Sequence, residues 1–197
     1  IVAGMRPGFA EDMDWWDAVT RVGLYQDYTV SADHATDKTN FFISLGHHNN
    51  ESNVIGSGYM RFTSNVNVTV RPTKWFSAGV KMNASYQETD NISDGSSAYV
   101  NPIYYGRFMS PIYPIHLHDM NTGEYILDEN GNKIYDRGNN FPEFTRTQNL
   151  DRHVIWELDL NQDRTYRTTT TGNVWFNINF LKDFDFKVLF DYSLRNT

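Results

Sequence analysis

The stretch Met60–Val70, MRFTSNVNVTV, alternates apolar and polar residues along its whole length. Its even-numbered residues are apolar except for Ser64, and its odd-numbered residues are all polar. A period of two residues is typical of a β-strand, because successive side chains point to opposite faces of the sheet. The stretch therefore predicts a strand with one apolar face and one polar face.

The same alternation recurs along the chain and predicts further strands. Six are predicted in all, near residues 24–32, 40–46, 60–70, 76–86, 173–180 and 185–195. No Asp, Glu, Lys or Arg occupies the apolar face of any of them, although 21% of the chain is charged. Asp27, Arg61, Lys81, Lys187 and Asp191 all fall on the opposite face. The chain is thus predicted to be all-β, with apolar faces that meet an environment excluding charge.

The predicted connections alternate between short and long. Residues 35–38, 71–74 and 181–183 are predicted to be tight turns, whereas 47–58 and 87–166 are predicted to be long loops. Up-and-down barrels of the outer membrane have short periplasmic turns and long extracellular loops. Aromatic residues near the predicted strand ends, such as Trp75 and Tyr86, are typical of the interfacial girdles of such barrels. Ordinary strand aromatics packed in a soluble core are the alternative.

The predicted fold class is therefore an antiparallel, up-and-down transmembrane β-barrel segment with long extracellular loops. Six strands do not close a barrel, because the smallest outer-membrane barrels have about eight and open edges leave backbone groups unsatisfied in lipid. Further strands are expected outside the chain. The alternative is a secreted carbohydrate-binding β-sandwich, whose apolar faces would meet each other across a core about 10 Å thick.

Composition excludes several other classes. The net charge of −7 disfavours a nucleic-acid partner, because phosphate binding needs clustered Lys and Arg. The chain has no cysteine, so neither a disulfide framework nor a thiolate metal site is available. No apolar run approaches the ~20 residues of a membrane-spanning helix. No export signal is visible at Ile1, and we expect residues 1–197 to be a piece of a longer polypeptide.

Several segments, in order, carry a family resemblance. They are 14–19 (DWWDAV) leading to Gly23, 29–32 (TVSA), 38–46 (KTNFFISLG), 61–63 (RFT), 72–76 (PTKWF), 101–107 (NPIYYGR), 111–114 (PIYP) and 179–184 (NFLKDF). Together they resemble the early barrel of the SusC/RagA-type TonB-linked (TonB-dependent) outer-membrane transporters, over essentially the whole chain.

The resemblance implies a Gram-negative outer-membrane protein that crosses the membrane many times. Members of that family form a barrel of roughly 22 strands closed by an N-terminal plug. They import oligosaccharides or peptides with energy relayed by TonB, and pair with a SusD-like surface lipoprotein. Residues 1–197 are then expected to be part of the barrel domain, in contact with outer-membrane lipid, with the plug and the TonB-contacting segment absent from the chain.

Two groups of residues are candidates for contact with cargo or partner. In the predicted loop, aromatic rings and a guanidinium suit the stacking of sugar rings or the holding of peptide bonds. These candidates are Tyr99, Tyr104, Tyr105, Arg107 and Tyr113. The alternative is that their rings pack the loop. On the strands, polar residues are expected to line the barrel lumen. These candidates are Arg61, Asn65, Asn67, Lys81 and Asn83.

No catalytic, cofactor-binding or metal-binding residue is predicted, and we do not expect an enzyme. His116 and His118 are predicted to share one side of a strand, but no third ligand is indicated. Residues 129–132, Glu-Asn-Gly-Asn, favour a hairpin over a calcium loop, because the glycine does not stand at the sixth position that a calcium loop requires. Carboxylates in the long loop show no spacing that would mark an acid and a base. A short helix is predicted within 12–21.

Overall fold

The computed structural model describes residues 12–92, 101–119, 121–139, 149–181 and 183–197. The helices in these ranges are α1 (Trp15–Val19), α2 (Pro102–Phe108) and α3 (Val154–Leu160). The strands are β1 (Leu24–Ala35), β2 (Thr39–Glu51), β3 (Gly58–Val70), β4 (Phe76–Asn91), β5 (Asp163–Phe180) and β6 (Phe184–Asn196). The chain forms two compact units. The sheet unit comprises 24–51, 58–90 and 164–197, and the loop unit comprises the described parts of 1–23, 52–57 and 91–163.

The sheet unit is one six-stranded sheet in the order β1-β2-β3-β4-β5-β6. The pairs β1–β2, β2–β3, β3–β4 and β5–β6 are antiparallel. Each pair keeps the period of two in register, so that Ile43 lies opposite Val66, and Val66 lies opposite Met82. The predicted antiparallel, six-stranded, all-β arrangement is confirmed.

The apolar face of the sheet is exposed. Val30, Leu45 and Val80 on this face are 75%, 59% and 44% exposed. A β-sandwich would bury such residues against a second sheet, yet the described residues form a single sheet. The sandwich alternative therefore lacks the dry two-layer interior that it requires.

The predicted long loop at 47–58 is wrong. Strand β2 continues to Glu51 and β3 begins at Gly58, so the connection is only 52–57. The run of His and Asn residues at 47–50 has no apolar alternation, but it pairs with strands on both sides. The ring of His47 lies 4.6 Å from that of Phe62 and 6.4 Å from that of Tyr28. Cross-strand ring contacts of this kind stabilise a strand that its own composition does not specify.

The loop unit has a small hydrophobic core of its own. Trp15 and Val19, one turn apart on α1, pack with Tyr105, Met109 and Val154. The helix begins where the Asp14 carboxylate accepts hydrogen bonds from two backbone N–H groups, at 2.9 and 3.0 Å. The predicted helix within 12–21 is confirmed in its central part. None of the helices in the described ranges has the length and apolarity needed to cross a membrane.

The predicted hairpin at 129–132 is confirmed. Leu127 and Lys133 form an antiparallel bridge on either side of it. Gly131 adopts a φ of 84°, a left-handed conformation that favours glycine. The Asp128 carboxylate accepts a hydrogen bond from the backbone N–H of Asn132 at 2.8 Å, and this bonding lowers the pKa of Asp128.

Candidate functional site

A cluster of aromatic and ionisable residues lies on the polar face of the sheet, where β1 begins and β2 ends. We call it the His48 cluster, and its members are Tyr25, Asp27, His48, Tyr59 and Arg61. The register places Asp27 opposite His48, and His48 opposite Arg61. The His48 ring is edge-on to Tyr25 and stacked on Tyr59, with centroid distances of 4.8 and 4.9 Å.

The electrostatics of the cluster centre on the His48 imidazole. Its Nδ1 lies 3.3 Å from Asp27 Oδ2, and the residue is 7% exposed. Its Nε2 has no hydrogen-bond partner among the described residues. Buried polar atoms are nearly always hydrogen-bonded, so this nitrogen is a group that a ligand hydroxyl, a peptide group or water would satisfy. With two tyrosine rings beside it, the cluster offers stacking surfaces and hydrogen-bonding atoms together.

A row of polar side chains continues from this cluster along the same face. The register places Asn65 opposite Asn83 and Asn67 opposite Lys81, so all five predicted lumen-facing residues share one face of the sheet. Asn65 donates a hydrogen bond from Nδ2 to Oγ of the buried Ser44 at 3.0 Å. Asn67 and Lys81 are exposed, whereas Asn65 and Asn83 are half-buried. The row is hydrophilic and partly open to water or ligand.

Trp175 also lies on the polar face and was not singled out from the sequence. Its indole packs over Gly79, where an added Cβ would overlap the ring. Lys187 Nζ lies 5.4 Å from the centre of that ring. A glycine within a strand often marks the close approach of another group, so Gly79 was the signal available in the sequence.

Tyr105 and Tyr113 are less exposed than we expected for contact residues. Tyr105 has 0% exposure, and its hydroxyl donates to the backbone oxygen of Arg152 at 3.4 Å. The prediction of Tyr105 as a ligand contact is therefore corrected, since the ring fills the core of the loop unit. Tyr113 is half-buried, and its backbone oxygen accepts a hydrogen bond from Trp15 Nε1 at 3.0 Å. Tyr99 lies outside the described residues.

The other two loop candidates lie on an exposed patch of α2. Tyr104 is 37% exposed, and its ring stacks on Phe108 with centroids 4.4 Å apart. The Arg107 guanidinium lies 5.5 Å from the ring of Trp16, which is 42% exposed. Both residues remain accessible to a partner or ligand.

The loop unit contains a further cluster of ionisable side chains, which was not predicted from the sequence. The Tyr135 hydroxyl donates to Asp159 Oδ2 at 2.8 Å, and burial together with this carboxylate raises the pKa of Tyr135 to about 12. The His116 ring stacks on Tyr135 at 5.0 Å, and burial and nearby Lys133 lower the pKa of His116. In the described ranges, no three His, Cys, Asp or Glu side chains converge as a metal site would require.

Comparisons with known proteins show which sequences and folds this chain is similar to. No family model matches the chain. Over 184 residues, 93% of the chain, it is 24% identical to TonB-dependent receptor P39 of Formosa agariphila. Its fold matches a structure of the RagAB peptide importer in the closed-closed state, with a TM-score of 0.67 over 98% of the chain at 14% identity. The resemblance to SusC/RagA-type TonB-dependent receptors is confirmed.

The open-open state of the RagAB importer gives a TM-score of 0.64 at 13% identity, again over 98% of this chain. The chain spans 15% of the length of the Formosa TonB-dependent receptor and 20% of the matched chain in the RagAB structures. The similarity is therefore to one segment of a much larger TonB-dependent receptor.

Proposed function

We propose that this chain forms part of the barrel wall of a TonB-dependent transporter in the outer membrane of a Gram-negative bacterium. Its strands cross the membrane several times in a barrel of roughly 22 strands. The whole transporter imports oligosaccharides or peptides, draws energy from TonB and works with a SusD-like surface lipoprotein. The chain itself has no enzymatic role. The observation that carries the proposal is the division of one sheet into an exposed apolar face and a polar face.

The length of the apolar face supports a membrane-spanning role. On β3 it runs from Phe62 to Val70, which is ~27 Å along a strand. At the usual tilt of barrel strands this corresponds to ~20 Å across the membrane, close to the ~25 Å apolar band of outer-membrane barrels.

Charged residues return on the same face just beyond this band. On β4, Glu88 and Asp90 follow Tyr86 at alternate positions, and Arg164 of β5 binds both carboxylates, at 2.9 and 2.6 Å. Ion pairs of this kind suit the headgroup layer or water and not hydrocarbon. The Tyr86 level therefore marks one edge of the apolar band.

The polar face would then line the lumen, with Arg61, Asn65, Asn67, Lys81 and Asn83 in contact with water, plug or cargo. The His48 cluster would contact cargo or plug near the extracellular end. The long loop predicted at 87–166 would lie outside the cell, where Tyr104, Arg107 and Tyr113 are candidates for contact with cargo or lipoprotein.

Uptake by whole cells tests the proposal, with the polypeptide expressed at its natural length. The double substitution Tyr25→Ala and Tyr59→Ala removes both rings that flank His48. Tyr28→Ala is the matched control, because it removes a ring from the apolar face of the same strand. We expect the double variant to lower TonB-dependent uptake of a fluorescent cargo severalfold and the control to leave it nearly unchanged. Separate arms with peptide and oligosaccharide mixtures distinguish the cargo classes.

Cells lacking TonB provide the background rate, and heat-modifiable mobility on gels confirms equal amounts of folded barrel. No uptake of either cargo above that background would contradict the transport function. An equal loss in the Tyr28→Ala variant would contradict the assignment of the polar face. A chain that is monodisperse without detergent would favour the soluble alternative.

A further inference from the structure

A cavity with a cationic lining lies at the short-turn end of the sheet. It has a volume of about 620 Å³, and Lys38, Arg71 and Lys74 contribute to its wall together with Ser77 and Asn179. Two backbone hydrogen bonds hold its parts together. The Arg71 N–H donates to the Lys38 oxygen at 2.6 Å, and the Asn179 N–H donates to the Trp75 oxygen at 2.8 Å. The cations therefore belong to two turns fixed to each other and to the end of β5.

The wall of this cavity carries more positive than negative charge. Asp37 is the acidic residue of the wall, against three cations. The side chains of Lys38, Arg71 and Lys74 form no ion pair with another described residue, whereas Arg164 binds two carboxylates elsewhere in the sheet unit. Like charges around one cavity repel each other, and an anion bound among them would relieve that repulsion. The feature is notable in a chain whose net charge is −7.

The surroundings of the cavity indicate the kind of anion. Trp75 stands beside it with 56% exposure, and Phe76 of the apolar face forms part of its wall. The rings of Phe180 and Phe184 stack at the same end of the sheet, 5.5 Å apart. Aromatic rings gathered where an apolar face ends are typical of the headgroup layer of a membrane.

We propose that this cavity binds the phosphate of an anionic phospholipid headgroup in the periplasmic leaflet, an inference that rests on the proposed membrane function. The ammonium groups of Lys38 and Lys74 supply point charges to phosphate oxygens, and the Arg71 guanidinium supplies a planar pair of donors. The acyl chains of the same lipid would lie along the apolar face that begins at Phe76.

Native mass spectrometry of the natural-length polypeptide in detergent tests this site, with dioleoylphosphatidylglycerol titrated against dioleoylphosphatidylcholine. The triple variant Lys38→Gln, Arg71→Gln and Lys74→Gln removes the three cations. Each Lys or Arg beside an anionic lipid surface contributes about fivefold in affinity. We expect the wild type to bind phosphatidylglycerol preferentially and the triple variant to bind it roughly 100-fold more weakly, because three contributions of about fivefold are lost.

The control variant removes the same charge elsewhere, with Lys133→Gln, Arg167→Gln and Arg195→Gln. Equal losses in the two triple variants, or no preference for phosphatidylglycerol in the wild type, would overturn the site. Displacement of the lipid by millimolar inorganic phosphate would also overturn it, since the site would then bind free phosphate. Failure of the wild type to enter micelles at all would instead contradict the proposed membrane function.

Discussion

An arginine placed on the apolar face of β3 tests directly which face of the sheet meets hydrocarbon. Val66 is the residue of choice, because it lies midway between Phe62 and Val70 along this face. The distance from Val66 to either end is ~13 Å along the strand, or ~10 Å across the membrane at the usual strand tilt. Val66→Arg therefore puts a guanidinium near the bilayer midplane.

The expected cost is about 2 to 4 kcal/mol of unfolding free energy, the range found for Arg or Lys at the midplane of a barrel. Val80→Arg changes a residue of the same face, two positions closer to the short-turn end than Met82, which lies opposite Val66. Its cost should be smaller, because the penalty falls towards the interface. Asn83→Arg is the matched control, since Asn83 is the neighbour of Met82 on the opposite face. We expect a cost within about 1 kcal/mol for the control.

Urea unfolding of the natural-length polypeptide in lipid vesicles measures these differences, with tryptophan fluorescence as the signal. The required ranking is Val66→Arg, then Val80→Arg, then Asn83→Arg, from most to least destabilised. Equal stability of the three variants, or a larger cost for Asn83→Arg than for Val66→Arg, would refute the assignment of the apolar face to lipid.

Three further predictions concern packing and ionisation. Trp15→Ala should cost the loop unit about 3 to 5 kcal/mol, because the side chain is 2% exposed, whereas Trp16→Ala at 42% exposure should cost much less. Hydrogen exchange of α1 and α2 measures both, and equal effects would exclude the proposed core. Gly79→Ala should destabilise the sheet by about 1 to 3 kcal/mol through overlap with the indole, and adding Trp175→Ala should recover most of that loss. Additive losses in the double-mutant cycle would rule out this contact. The raised pKa of Tyr135 means that its contribution to stability is present below pH 10 and is lost as the pH rises to about 12. Tyr135→Phe should remove that part of the pH dependence from an alkaline unfolding series, and an unchanged series would show that this tyrosine does not cause it.

Much of the sheet was predictable because its signal is local. Alternation of side chains such as Val66, Asn67 and Val68 is a property of neighbouring residues and needs no knowledge of the partner strands. The sharing of one face by all five lumen candidates followed from the same period. The turn around Gly131 was predictable for a similar reason, since glycine tolerates a positive φ at little cost.

The errors arose where contacts between distant residues decide the structure. The strand at 47–50 depends on rings such as Tyr28 and Phe62 in neighbouring strands, so its own polar composition was misleading. Tyrosine is a residue type that often contacts ligands at a surface, but packing against Trp15 places Tyr105 in a core. Trp175 on the polar face depends on the space above Gly79, which only the register of two strands creates.

The sequence alone determined that this chain is a sheet with an uncharged face and a polar face. The alternation of side chains and the exclusion of charge from one face are both visible in the order of neighbouring residues. The sequence also carried the resemblance to TonB-dependent receptors. Only the tertiary structure decided that the uncharged face stays exposed instead of meeting a second sheet, and only it brought Asp27 and Tyr59 around His48 and gathered three cations of two turns around one cavity. Those arrangements depend on strand order, register and side-chain packing between residues far apart in the chain, and no local pattern encodes them.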